Sequence, residues 1–131
     1  MVETKTLLLE ICQKVYSELG FGLAELVYEK CIASELMDIF KNINTEYHVP
    51  QYYTTQTGRI IQVADLRIDI LINDDIIIEL KTLESSLSKK KDITQTKEYL
   101  QTQRYMKLMN INNGYLINFH KEGFDLYEVK L

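Results

Sequence analysis

Apolar positions recur at helical spacing over residues 4–19, where Leu7, Leu8, Ile11, Val15 and Leu19 form one stripe and Gly20 and Gly22 then break it. A second helix is expected over residues 23–40, with Leu26, Val27, Ala33, Leu36, Met37 and Phe40 facing inward. The short connection forces a tight reversal or bend. The period then drops to two. Residues 44–49 predict a strand ended by Pro50, and residues 51–54 and 59–63 read as hairpin arms around Gln56-Thr57-Gly58, rich in β-branched and aromatic types. Residues 67–72 and 76–81 form a second hairpin around Asn73-Asp74-Asp75. Ser88 or Asp92 can cap a third helix running to residue 109, with Ile93, Leu100 and Met106 inward. Residues 114–119 and 124–129 are the last strands, joined through Lys121-Glu122-Gly123. The order is ααβββββαββ. It predicts an α/β (α+β) domain over residues 1–131, a central mixed β-sheet flanked by helices. The third helix can act as a right-handed crossover that makes the strands of Glu79 and Leu116 parallel.

The second hairpin carries the candidate chemistry. With a three-residue loop, Asp69 lies opposite Glu79 and Arg67 opposite Lys81. Alternation then puts Asp69, Glu79 and Lys81 on one face, and Ile68, Ile70, Ile72, Ile76, Ile78 and Leu80 on the other. Two carboxylates directly across an antiparallel pair repel each other. A divalent metal between them would resolve that, and so would ordinary pairing among Asp, Glu, Lys and Arg on a solvated face. A loop one residue shorter or longer would move Asp69 diagonal to Glu79. The hairpin alone leaves these readings open.

Length and charge narrow the class. The 131 residues suit one domain with its own core, and no linker, low-complexity tract or repeat interrupts them. A formal net charge of −4 argues against coating nucleic acid through bulk electrostatics, though metal-binding carboxylates contribute to that charge and a local basic patch can still hold phosphate. Lys89-Lys90-Lys91 is the one dense basic run and reads as a solvated loop or helix start. Cys12 and Cys31 fall on helices without CxxC spacing, as expected of free, buried thiols in a reducing compartment. No apolar run reaches membrane-spanning length and no signal-peptide pattern is present, so an intracellular, soluble protein is expected.

Gly22-Leu23-Ala24-Glu25-Leu26-Val27-Tyr28 is a full match to the signature of the GxxExxY protein family, a branch of the PD-(D/E)XK nuclease-like superfamily. Further matches follow in that family's order: Glu46, Val49-Pro50, Tyr53, Gly58, Arg67 with Asp69, Glu79-Leu80-Lys81, Gln95 with Tyr99-Leu100, and Gly114 with Leu116-Ile117-Asn118-Phe119. The chain resembles the family over roughly residues 5–129. The resemblance implies a restriction-endonuclease-like core with the aspartate and the ExK pair on adjacent strands.

It also implies roles. Asp69 and Glu79 would bind Mg²⁺ or Mn²⁺, the backbone carbonyl of Leu80 would add an oxygen, and Glu25 is a further candidate ligand. Lys81 would orient the attacking water, and Glu25 and Gln95 match the helix-borne glutamate and glutamine. Mg²⁺ prefers hard oxygen ligands and keeps several waters, so one or two carboxylates and a substrate phosphate suffice. Lys81 lies about 7 Å along the strand from Glu79, within reach of a phosphate or the water. The expected activity is hydrolysis of phosphodiester bonds in DNA, in preference to RNA, by in-line attack of metal-activated water. The alternative is a catalytically weak or inactive nuclease-fold module that binds nucleic acid or protein. The family often has a histidine three residues before the glutamine, where this chain has Asp92. His48 and His120 read as surface or strand-end residues and Asp65 as a solvated one. Tyr28 could align Glu25 or simply pack. A homodimer is expected, with Tyr52, Tyr53, Tyr115 and Tyr127 as candidate surface.

Overall fold

The computed structural model describes residues 3–131. Helices α1 (Thr4–Leu19) and α2 (Glu25–Met37) precede strands β1 (Ile43–Thr54), β2 (Ile60–Ile72) and β3 (Ile76–Lys81). Helix α3 (Lys97–Met109) then leads into β4 (Asn113–His120) and β5 (Gly123–Val129). The five strands form one sheet in chain order, and only β3 and β4 run parallel. Helix α3 is therefore the crossover its position predicts.

The sheet divides two apolar layers. Leu8, Cys12, Val15, Ile32 and Leu36 of α1 and α2 pack with Ile70, Ile72, Ile78 and Leu80 on one side. On the other, Tyr99, Tyr105 and Met106 of α3 pack with Ile68, Leu71, Ile77 and Leu116. Gly114 belongs to this second layer because a Cβ there would meet the Met106 sulfur at 2.5 Å.

The element order follows the expected one with a simplification. Residues 44–49 and 51–54 are one strand, and so are 59–63 and 67–72, so three long strands replace the five predicted before α3. Pro50 does not end β1, because β1 is an edge strand and an edge tolerates a residue that cannot donate to a ladder. The register slips only between Gln51 and Tyr52.

Two helices differ in face or start. Helix α2 buries Tyr28, Ile32, Ala33 and Leu36 and exposes Leu26, Val27 and Met37, which were expected inside. It carries apolar residues all round, so periodicity does not select its inward stripe. Ahead of α3 the chain makes two short 3₁₀ turns, Leu87–Lys89 and Ile93–Gln95, capped by Ser86 and Asp92. Thr96, not Ser88 or Asp92, caps α3 itself, accepting from the Tyr99 amide at 3.2 Å. Leu100 is exposed, against expectation, whereas Ile93 is half-buried and packs on the α3 layer as expected. Both cysteines are free thiols; Cys12 is buried, which pushes it up to about 12, whereas Cys31 is only half-buried.

Candidate active site

The site begins where the β2/β3 ladder stops. Ile72 pairs with Ile76, Leu71 with Ile77 and Ile70 with Ile78, in the register that a three-residue loop imposes. At the next position the strands fork. β3 continues beside β4 through Glu79, Leu80 and Lys81, while β2 continues beside β1. Side chains fill the gap that the ladder leaves. The Asp69 amide donates to Glu79 Oε1 at 3.1 Å, and the Leu80 amide donates to Asp69 Oδ2 at 2.8 Å. Each carboxylate thus anchors one oxygen on the opposite strand's backbone.

The distortion extends into β2. Glu46, on the neighbouring stretch of β1, has a positive φ of 50°, and no ladder pair forms between it and Asp69. Ile68 packs with the α3 layer, whereas Ile70 packs with the α1/α2 layer. Strict alternation, which grouped Ile68 with Ile70, fails across Asp69 because an irregular strand releases the parity. Arg67 extends to Glu46, its Nη1 donating to Oε1 at 2.6 Å.

Burial raises both acids. Glu79 is 3% exposed and is held well above the usual carboxylate range, first by burial and then by the Asp69 charge. Asp69 is raised by burial, opposed by the Leu80 amide and the Lys81 ammonium. Two unit charges about 4 Å apart at an effective dielectric of about 20 repel by about 4 kcal/mol. Two amide-to-carboxylate bonds, each worth about 1.5–3 kcal/mol, are of the same size as that repulsion, and the cost of desolvating the two charges comes on top of it. A proton or a cation is needed to make the pair comfortable.

Helix α2 supplies the wall. Gly22 adopts a φ of 109°, in the region only glycine enters freely, and lets the chain turn into α2. Tyr28 fixes that turn, donating to the Gly20 carbonyl at 2.6 Å and accepting from the Leu23 amide at 3.4 Å. Its ring stacks on Phe119 with centroids 4.5 Å apart. Tyr28 therefore positions the start of α2 and is fully buried. Glu25, the first residue of α2, lines a hollow of about 340 Å³ with Glu29, Glu46, Arg67 and Asp69. Burial raises Glu25, Asp69 raises it further, and Lys81 lowers it.

Two residues of this site escaped the sequence reading. Glu29 is buried beside Glu25 and pushed up to about 7, by burial first and then by Asp69 and Glu46. Its signal was available: four residues after Glu25 it shares that helix face. Tyr105 of α3 is buried and pushed up to about 12, by burial and then by Glu79 and Asp69. Its hydroxyl accepts from Gln101 Nε2 at 3.2 Å.

The fold thus gathers Asp69, Glu79, Leu80, Lys81 and Glu25. Gln95 lies apart: it is exposed in the 3₁₀ turn before α3, in a hollow with Lys90, Lys91, Asp92 and Lys97. Asp92 accepts from the amide and hydroxyl of Thr94 and so holds that turn. His120 is buried, not superficial, whereas His48 is exposed and pairs with Asp65 at 3.0 Å.

Among the described residues no three His, Cys, Asp or Glu side chains converge into a ready-made metal cage. The fork still suits a small hard cation. Each acid bonds a backbone amide through only one oxygen, and Mg²⁺ asks for few protein ligands.

A mixed five-stranded sheet flanked by helices, with a buried and a half-buried acid at a strand fork and a lysine two residues on, defines the class. The chain matches the model of the PD-(D/E)XK nuclease superfamily over residues 2–128 and belongs to that superfamily. Among solved structures, "Crystal structure of SSO0001" matches 81% of this chain and 50% of that one, with a TM-score of 0.63 and 22% identity. This chain spans about half the length of SSO0001, and the likeness is one of fold. None of the curated proteins compared with the chain matches it.

Proposed function

We propose that the protein is a metal-dependent nuclease, a domain over residues 1–131 of the GxxExxY type that hydrolyses phosphodiester bonds of DNA in preference to RNA inside the cell. The observation that carries this reading is the fork: buried Glu79 and half-buried Asp69 facing each other, each tied to a backbone amide, with a lysine on the same strand end. Asp69 and Glu79 would hold Mg²⁺ or Mn²⁺, with the Leu80 carbonyl and Glu25 as further oxygens. When bound, such a cation supplies Lewis acidity toward a phosphoryl oxygen and makes water a better nucleophile. Lys81 sits at the open end of β3, where its ammonium can hold a phosphate oxygen or the incoming water in line. Glu25 lines the hollow of Asp69, close enough to Lys81 to feel its charge, and can accept the proton that the water loses.

The test is hydrolysis of single- and double-stranded DNA with Mg²⁺ or Mn²⁺. Asp69→Ala and Lys81→Ala should each lower the rate at least about 100-fold, in the range of lost electrostatic stabilisation. Unchanged rates in both variants reject the assignment.

One observation favours a second reading, a weak or inactive module that binds nucleic acid or protein. Gln95 lies in a hollow other than that of Glu25 and Asp69, and Asp92 stands where the family often has histidine. Metal titration separates the two, because an inactive module shows no Mn²⁺ binding that depends on Asp69 and Glu79. A homodimer belongs to the proposal; Tyr52 and Tyr53 on β1 are 60% and 57% exposed, and sedimentation of Tyr52→Ser against the native chain tests it. Tyr115 is buried and Tyr127 half-buried, which leaves them the weaker candidates.

A further inference from the structure

Charge is distributed unevenly around the fork. The hollow on the α2 side is lined by Glu25, Glu29, Glu46 and Asp69, and its one cation, Arg67, is already bonded to Glu46. The α3 side is the opposite. A hollow of about 530 Å³ there is lined by Lys81, Lys97 and Arg104 against one acid, Glu98, with Tyr105 and Gln101 between them. Lys97 and Glu98 also line the next hollow, of about 880 Å³, together with Lys90, Lys91, Asp92 and Gln95. Lys97 and Glu98 line both hollows, which therefore adjoin and together mark out a path. Its lining holds five cations, Lys81, Lys90, Lys91, Lys97 and Arg104, against the two acids Asp92 and Glu98, in a chain whose net charge is −4.

These cations are also unspent. Among the described residues Lys14, Lys89, Lys121 and Arg67 are engaged in ion pairs, whereas no ion pair uses Lys81, Lys90, Lys91, Lys97 or Arg104. Lys97 and Arg104 lie seven residues apart on α3, about 10 Å along its axis. That spacing serves a chain of phosphates better than a single anion. Guanidinium and ammonium groups on a groove track a phosphate backbone without reading its bases.

We propose that this path is the seat of the nucleic-acid strand: its phosphates run from Lys81 and Arg104 past Lys97 to Lys90 and Lys91, and the acidic α2 side is left to the cation. The ligand class rests on the nuclease reading. The path gives Gln95 a place beside the strand rather than at the reacting atoms, and it gives Lys90 and Lys91 of the basic run a use.

The test is polarisation of labelled single-stranded and duplex oligonucleotides at about 50–200 mM salt, with Ca²⁺ in place of Mg²⁺. Lys97→Gln with Arg104→Gln should raise the dissociation constant about 5- to 30-fold, equally for unrelated sequences. The log–log salt slope should fall by about 0.7 per charge removed on the single strand. Lys90→Gln with Lys91→Gln should lower the slope as well. Lys97→Arg with Arg104→Lys should restore binding, which a purely structural role would not predict. Lys14→Gln, on α1, should leave the slope unchanged. Native slopes in the α3 variants, an equal loss in Lys14→Gln, displacement by millimolar inorganic phosphate, or no saturable binding each overturn the proposal. Its failure is distinct from that of the nuclease reading: Mn²⁺ binding and DNA cleavage insensitive to Lys97 and Arg104 sink the path and spare the activity. Binding with the predicted slopes but without cleavage does the reverse.

Discussion

Two buried polar clusters flank the parallel β3/β4 pair, and they are built on opposite principles. At the open side of β3, Asp69 and Glu79 confront each other with two backbone amides for support. Across β4, Asn118, His120 and Asp125 form a lock in which the polar atoms are paired with one another or with the chain. Asp125 accepts from Ser86 Oγ at 2.6 Å, the Leu87 amide at 2.7 Å and Asn118 Nδ2 at 3.1 Å. Asn118 Oδ1 accepts from the Leu83 amide and its Nδ2 also donates to the Ser85 carbonyl. His120 Nδ1 accepts from the Glu122 amide, so its proton sits on Nε2, which faces Asp125 Oδ1 at 3.3 Å. The lock is satisfied from within and pins the segment leaving Lys81. The fork keeps its mismatch. Acids perturbed in this way concentrate at functional sites.

The largest effect is expected in the lock. Asp125→Ala would strand the amide of Leu87 and one proton each on Ser86, Asn118 and His120, and should cost about 3–5 kcal/mol in urea denaturation. Mn²⁺ affinity, corrected for the folded fraction, should not change. A loss below about 1 kcal/mol would mean that water replaces the carboxylate and that the lock is no lock.

Metal should act on the fork in the opposite sense. A ligand bound only to the folded chain stabilises it by about 2.7 kcal/mol at one hundred times its dissociation constant. Thermal melts with saturating Mn²⁺ should rise accordingly for the native protein and stay flat for Asp69→Asn with Glu79→Gln. Without metal that double variant should melt above the native chain at neutral pH, because it removes two acids whose burial disfavours their charged forms. A lower metal-free midpoint would place the pair on the structural side of the comparison.

Much of the fork was legible in the sequence because it is local. Two short runs and one three-residue turn set the register through Ile70 and Ile78 that brings Asp69 and Glu79 to the fork, whereas the end of the ladder there and the broken alternation across Asp69 were not legible. The lock was not legible. Asn118 and Asp125 reach partners 33 to 39 residues away, such as Ser85 and Ser86, and no spacing rule reports such pairs. The inward stripe of α2 was lost for a different reason. With apolar residues on every side, its orientation is decided by Tyr28 stacking on Phe119, a tertiary contact. Glu29 was lost with it. Joining of the strands across Pro50 likewise depends on β1 lying at an edge, which a single strand's residues do not declare.

Glu29 gives the acidic side of the fork a pH dependence. Its folded-state value is about 7 against an ordinary 4.5, because burial and the charges of Asp69, Glu46 and Glu25 disfavour ionisation. The folded chain thus holds this proton to higher pH than the unfolded chain does. The Glu29 contribution is most favourable below about pH 4.5 and is lost as pH rises toward 7, with a slope of at most about 1.4 kcal/mol per pH unit. Metal-free Glu29→Gln should remove that part of the slope. An unchanged profile would show that Glu29 titrates alike in both states.

The smallest expected change tests how α2 is delivered to the fork. Tyr28→Phe keeps the ring on Phe119 but removes the hydroxyl that joins the Gly20 carbonyl to the Leu23 amide. The stability cost should be about 1 kcal/mol, one buried hydrogen-bonding group lost with its packing kept. Because Glu25 begins the helix that this turn launches, the variant should also lower the rate of DNA hydrolysis and the Mn²⁺ affinity severalfold together. If affinity falls as far as the rate, Glu25 belongs among the ligands. If neither moves, the hydroxyl serves the turn alone, and Glu25 is held in place by the packing of α2.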